Sequence, residues 1–138
     1  MGDFEFSNFL VLDKPIVKDG IAIETLEHAY QGLKTVIPEE RAKVFKAATP
    51  GKAKRLGSKV TLREDWAEIK VKVMDCLLKI KFAEGNEWRA RLDATKGSEL
   101  VEWNWWHDNF WGDCECSKCE GIDGQNMLGR LLMKIRDK

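Results

Sequence analysis

The clearest periodic signal lies in residues 126–136, where Leu128, Leu131, Leu132 and Ile135 recur at i, i+3, i+4 and i+7 and predict an amphipathic helix. Gly129 interrupts that helix at a propensity cost of up to about 1 kcal/mol against Ala, which points to close backbone approach of a neighbour or a ligand. A longer segment, residues 64–82, repeats Trp66, Ile69, Val73, Cys76 or Leu77, and Ile80 with helical period. It predicts the central core helix, with Cys76 a small buried hydrophobe. Residues 86–94 form a shorter helix with Trp88 and Leu92 inward, ended by Gly97-Ser98. Pro38 suits a first helical position and Glu39-Glu40 a first turn, so a helix runs over 38–48 with Ala42, Phe45 and Ala48 buried. Thr49-Pro50 restarts a short helix that stops near Gly57. Residues 16–23 read as two short strands joined by Asp19-Gly20, a pair that supports the positive φ values of a tight hairpin turn, and 99–103 reads as a further strand.

Between the hairpin and the first of these helices lies the stretch of greatest chemical interest, residues 25–34. At helical spacing Leu26, Ala29 and Leu33 fall on one side, while Glu27, Tyr30, Gln31 and Lys34 fall on another. Thr25 is placed to cap the helix, which sets Glu27 near its positive end and favours the ionised carboxylate. The plain reading is a surface helix with a solvated polar face. The chemical reading is a carboxylate and an amine about two turns apart on one face.

Composition narrows the possibilities. The chain of 138 residues is long enough for one domain, 1–138, with a core that needs no disulfides. Lys plus Arg and Asp plus Glu both number 23, so nothing marks it as a protein that coats nucleic acid. Any phosphate binding is local, and residues 41–63 carry eight basic residues and no acidic one. Among them Lys52, Lys54 and Arg55 are placed to take phosphates, with Arg55 the first choice. No apolar run approaches membrane-spanning length and the first residues lack a signal peptide's basic and apolar regions, so a cytoplasmic protein without membrane partners is expected. Three of the four cysteines crowd into Cys114, Cys116 and Cys119. In a reducing compartment they read as metal ligands or free thiols rather than disulfides, and a structural zinc would take its fourth donor from His107, Cys76 or a residue brought near by folding. Four of the six tryptophans lie in a cluster with Phe110: Trp103, Trp105, Trp106 and Trp111.

Several pieces fall into a familiar order: Phe6-Ser7-Asn8-Phe9, then Glu24 through Lys34, Trp66 opening the long helix, Asn109-Phe110-Trp111-Gly112-Asp113, and Gly124-Gln125-Asn126-Met127-Leu128-Gly129-Arg130. Together they resemble the NADAR, or YbiA-like, family over nearly the whole chain. The resemblance implies an α+β fold dominated by helices, with a small N-terminal hairpin and a short strand near 99–103. It implies N-glycosidase activity, removing ADP-ribose from guanine in nucleic acid or cleaving a phosphorylated ribosylamino intermediate of riboflavin synthesis. ADP-ribosylated DNA is then one expected substrate, and no cofactor is expected for catalysis. By the same resemblance Glu27, Lys34 and Asp113 are catalytic. Ser7, Asn8, His28, Gln31, Trp66, Trp111, Gly112, Asn126 and Gly129 bind substrate. Three features depart from the family pattern: Ala29 and Gly32 replace bulkier residues, Thr35 stands where an aromatic is usual, and the strand before Phe6 is nearly absent.

These residue types suit the chemistry. Breaking a C1′–N bond builds positive charge on the sugar, so a carboxylate, Glu27 or Asp113, stabilises it or activates water. A lysine freed of its proton by desolvation can instead attack the anomeric carbon and hold the opened sugar as a Schiff base, a route the resemblance carries for Lys34. Trp66 and Trp111 offer faces on which a base can stack. No dinucleotide-binding glycine fingerprint is present, which argues against redox use of NAD. The alternatives are a module that grips ADP-ribose without cleaving it and a small zinc-stabilised nucleic-acid binder; intact Glu27, Lys34 and Asp113 favour the enzyme.

Overall fold

A computed structural model describes residues 6–138. Phe4 and the short stretch before Phe6 lie outside the described residues. The chain divides into two compact units, Phe6–Leu77 and Leu78 onward to Lys138.

The first unit opens with the expected hairpin, β1 (Val11–Lys18) and β2 (Ile21–Thr25), antiparallel with Lys18 opposite Ile21 and Ile16 opposite Ile23. Asp19 and Gly20 have φ values of 54° and 74°, as a tight two-residue turn requires. Leu12, Ile23 and Thr25 are the hairpin's buried residues. Three short helices follow: α1 (Leu26–Gly32), α2 (Pro38–Phe45) and α3 (Pro50–Gly57). Helix α1 is the hub, packed against both α2 and α3. Two glycines set those approaches. A Cβ on Gly32 would overlap the Phe45 ring, and one on Gly57 would overlap the Gln31 side chain. Gly32, one of the departures from the family pattern, is therefore the seat of Phe45. Helix α2 stops at Phe45, short of the expected 48; Val44 and Phe45 are its buried residues, and Ala48 is exposed.

Helix α4 (Trp66–Lys81) starts in this unit and its last turn belongs to the next. Its buried positions are Trp66, then Met74, Leu77, Leu78 and Lys81, with Phe82 just beyond. Two expectations fail here: Cys76 is exposed and Ile80 is 52% exposed. From Met74 onward the buried stripe falls at i, i+3, i+4, i+7 and i+8, and a lysine occupies one of its positions, so the apolar pattern alone lands on the wrong face.

The second unit holds α5 (Glu87–Asp93) and α6 (Met127–Arg136), which pack together, and two-residue strands β3 (Trp103–Asn104) and β4 (Asp113–Cys114), paired in parallel. The expected strand near 99–103 is thus reduced to its final residue and the one after. Leu128, Leu131, Leu132 and Ile135 of α6 are buried as the periodicity predicts. Asn86 caps α5 by accepting from the Arg89 amide at 2.8 Å. Arg136 donates to the Ser98 and Thr95 carbonyls and ties the loop after α5 to α6.

Candidate functional site

Thr25 caps α1 as expected: its hydroxyl accepts from the His28 amide at 3.1 Å. The helix that follows is not a surface helix. All seven residues from Leu26 to Gly32 are buried, Glu27 to 7% exposure, which overturns the reading of a solvated polar face. Lys34 lies past the helix end in the turn after Leu33, where its carbonyl accepts from the Arg63 amide at 2.7 Å. Glu27 and Lys34 are nonetheless electrostatic partners, each charge favouring the ionised form of the other.

Burial raises the Glu27 carboxyl above its ordinary value, against the opposing pull of a Gln31 hydrogen bond and of the Lys54 and Lys34 charges. Burial likewise lowers the Lys34 amine, and Lys54 and Lys70 reinforce that while Glu27 resists it. An acid that holds its proton longer and an amine that gives its proton up sooner is the polarity that proton transfer and amine attack need near neutral pH. The Lys34 ammonium lies 5.6 Å from the centre of the Tyr30 ring. Tyr30 is backed by Trp66, with ring centres 5.1 Å apart. Trp66 is thus a buried wall behind Tyr30.

Two residues hydrogen-bonded to Glu27 each carry an unmet acceptor. Gln31 Nε2 donates to Glu27 Oε1 at 2.8 Å, yet its own Oε1 is buried with no hydrogen-bond partner among the described residues. The Asn8 carbonyl accepts from the Glu27 amide at 3.0 Å, while the Asn8 side-chain Oδ1 is buried and equally without a partner among the described residues. Buried acceptors left bare cost stability, and the Gln31 oxygen is the one that packs against Gly57. The Ser7 hydroxyl accepts from the Phe9 amide at 3.1 Å and shapes the turn that brings Asn8 to α1. Ser7, Asn8, Glu27, Gln31, Lys34 and Trp66 are therefore gathered in one unit.

His28 holds this arrangement. Its Nε2 faces the Ala47 carbonyl at 2.9 Å, an acceptor, so that nitrogen carries the proton and Nδ1 accepts from the Thr25 hydroxyl at 2.7 Å. Both ring nitrogens are engaged within the fold. Lys54 and Arg55 are both exposed on α3, and Lys54 is the α3 cation whose charge reaches Glu27 and Lys34. A separate hollow of about 730 Å³, lined by Gly20, Ile21, Pro38 and Arg41 among others, contains none of these residues.

The second unit gathers the other expected residues. Asn126 adopts a left-handed backbone, φ 50°, and its side-chain amide spans two neighbours: Oδ1 accepts from the Glu102 amide and Nδ2 donates to the Leu100 carbonyl, both at 2.8 Å. Gly129 is the close approach anticipated, since a Cβ there would overlap the Leu100 carbonyl. Gly112 is equally confined, by the Glu102 carbonyl. Asp113 Oδ1 accepts from the Gly124 amide at 3.3 Å. Trp111 is half-buried and meets Phe110 edge-on, with ring centres 4.9 Å apart. Beside this loop the donor atoms of His107, Cys114, Cys116 and Cys119 all lie within 4.8 Å of one another.

Residues 2–138 match the NADAR domain. The chain belongs to the NADAR family. It is 36% identical to the N-glycosidase YbiA of Escherichia coli strain K12 over 97% of this chain and 80% of that one. The NMR structure of the E. coli protein YbiA superimposes with a TM-score of 0.79 at 35% identity, covering 99% of this chain and 79% of that one. A riboflavin biosynthesis protein of Vibrio vulnificus is 34% identical over 89% of this chain but only 32% of its own length. The α+β architecture dominated by helices is thus the one that this NADAR chain shares with a solved relative. No helix among the described residues is long and apolar enough to cross a membrane.

Three residues escaped the sequence reading of their roles, Tyr30 and Lys70 in the first unit and Asn104 in the second. Tyr30 was counted only as a polar-face residue, and its ring lies against Lys34. Lys70 sits among lysines on α4 and carries no pattern of its own. Asn104, buried, accepts from the Trp106 and Asp108 amides and donates to the Asp108 carbonyl, organising the loop that leads to Trp111. An isolated asparagine among tryptophans is the only hint the sequence holds of that last role.

Proposed function

We propose that this chain is an N-glycosidase that hydrolyses the C1′–N bond of a ribose carrying a 5′-phosphate or diphosphate. The observation that carries the reading is the buried Glu27 beside the half-buried Lys34, a carboxyl raised and an amine lowered chiefly by desolvation. The names of the relatives support the reaction class. In this reading Glu27 donates its proton to the departing base nitrogen as the C1′–N bond breaks. The neutral Lys34 amine forms the new bond to C1′, returns one of its protons to Glu27, and passes the other to the ring oxygen as the C1′–O4′ bond breaks and the Schiff base forms. Water adds to that carbon and releases the free sugar, restoring the amine. The buried oxygens of Asn8 and Gln31 accept from ribose hydroxyls, and Lys54 faces the phosphate.

Two substrates fit: ADP-ribose attached to guanine in nucleic acid, and a phosphorylated ribosylaminopyrimidine such as occurs in riboflavin synthesis. Incubating the protein with each, and separating free base from released sugar phosphate, tests the reading. Sugar phosphate and intact base should appear together, in equal amounts, from one or both substrates. Binding of ADP-ribose with no cleavage of either would replace the enzyme with a binding module.

A further inference from the structure

We infer that His107, Cys114, Cys116 and Cys119 form a mononuclear zinc site that holds together the loop between β3 and α6. Three thiols and an imidazole are the donor set of a closed structural zinc. Tetrahedral bonds of about 2.3 Å to sulfur and 2.1 Å to nitrogen place nitrogen and sulfur about 3.6 Å apart. Nδ1 of His107 lies 3.2 Å from Cys116 Sγ, 3.3 Å from Cys119 Sγ and 3.9 Å from Cys114 Sγ, distances that straddle this value.

The surrounding chain is shaped to deliver those atoms. His107 has φ 68°, a left-handed conformation that non-glycine residues rarely adopt. Asn109 acts on two ligands at once: Oδ1 accepts from the Cys114 amide at 2.9 Å and Nδ2 donates to Cys119 Sγ at 3.4 Å. The Cys116 amide points at Cys114 Sγ at 3.5 Å. Donors turned toward sulfur are the supporting contacts that fix thiolate ligands and offset their charge. Asn109 supplies one of these and also holds the Cys114 amide, so it is a positioning residue of the site. The regular pairing here is short, since β3 and β4 are two residues long. With His107 just after β3 and Cys114 within β4, one ion would bind both strands and fix Trp111-Gly112-Asp113 between its ligands.

The test is metal analysis of protein purified anaerobically without chelator, with cobalt substitution as the second readout. One equivalent of zinc per chain, and in the cobalt form the intense visible bands of tetrahedral coordination with thiolate-to-cobalt charge transfer, are expected. Replacing His107 by Ala should lose the ion, whereas His107→Cys, which restores a fourth thiolate, should retain it and keep the wild-type fold. Chelation should lower the melting temperature of wild type and leave His107→Ala unmoved. Zinc far below one equivalent with all the thiols freely titrating, a disulfide among the three cysteines in place of metal, or equal zinc in wild type and His107→Ala would each overturn the inference.

Discussion

Glu27→Gln separates function from stability because the amide keeps the shape and the acceptor but loses the charge. In the wild type the carboxylate accepts from Gln31 at 2.8 Å, a charge-assisted bond worth about 1.5–3 kcal/mol, which falls to about 0.5–1.5 with a neutral acceptor. The loss of about 1 kcal/mol is opposed by relief of burying a charge at a site only 7% exposed. The balance is read from the direction of the carboxyl shift. Its folded value is raised, so the folded state holds the proton more tightly than the unfolded chain. Stability therefore falls as pH rises from the ordinary carboxyl value of 4.5 through the raised one, and the cost is fully present above it. Chemical melts at pH 7 should find Glu27→Gln as stable as wild type or more so, with the fall in stability above pH 4.5 flattened. Glu27→Ala should instead lose about 2–3 kcal/mol by leaving Gln31 Nε2 without its acceptor and opening space in α1. A Glu27→Gln protein destabilised by about 2 kcal/mol or more would refute the reasoning and make this glutamate a structural anchor.

Other expectations follow from the same geometry. Borohydride added during turnover should trap a sugar adduct on wild type and none on Lys34→Ala, while Lys34→Arg should be inactive; near-normal activity in Lys34→Arg would remove the Schiff base and leave a positioning role. Charge reversal at Lys54 should weaken ADP-ribose binding by about tenfold or more, as expected for a lost charge-assisted contact, and reversal at exposed Arg55 should do far less; equal losses in a titration would mean the phosphates meet a diffuse patch. Lys81 is buried against the rings of Phe82 and Trp88, and burial pushes its amine from 10.5 down to about 8. The unfolded chain therefore binds more protons between those values, so stability rises with pH across that window. At ~1.4 kcal/mol per pH unit the cost at pH 7 is at most about 3 kcal/mol, and Lys81→Met should recover roughly 1–2 of it after losing two cation–π contacts. No gain in a denaturant titration would contradict that.

Much of the fold was legible because local chemistry fixes it. Asp19-Gly20 admits positive φ, Thr25 and Asn86 present capping oxygens, and the four apolar positions of α6 share one face. The burial of α1's polar face was not legible, since the spacing of Glu27 and Gln31 is the same whether that face meets water or α3. What buries it is the missing side chain at Gly57, far along the sequence. Cys76 and Ile80 were misplaced for a related reason. A buried lysine at 81 breaks the apolar stripe, and the remaining residues then suggest a face rotated by about one position. The candidate site was read from motif order, while the parts that polarise it, Tyr30 under Lys34 and Lys54 rather than Arg55, depend on helix packing. His107 was one of several possible fourth ligands until its left-handed backbone set Nδ1 among the thiols.

The most direct measurement is the single-turnover rate of C1′–N cleavage, followed by the appearance of free base, for wild type and Glu27→Gln on the same saturating substrate. The account predicts normal ligand binding by Glu27→Gln with cleavage slowed by about 10²-fold or more, the usual size of a lost general acid. Cleavage within a few-fold of wild type would contradict it.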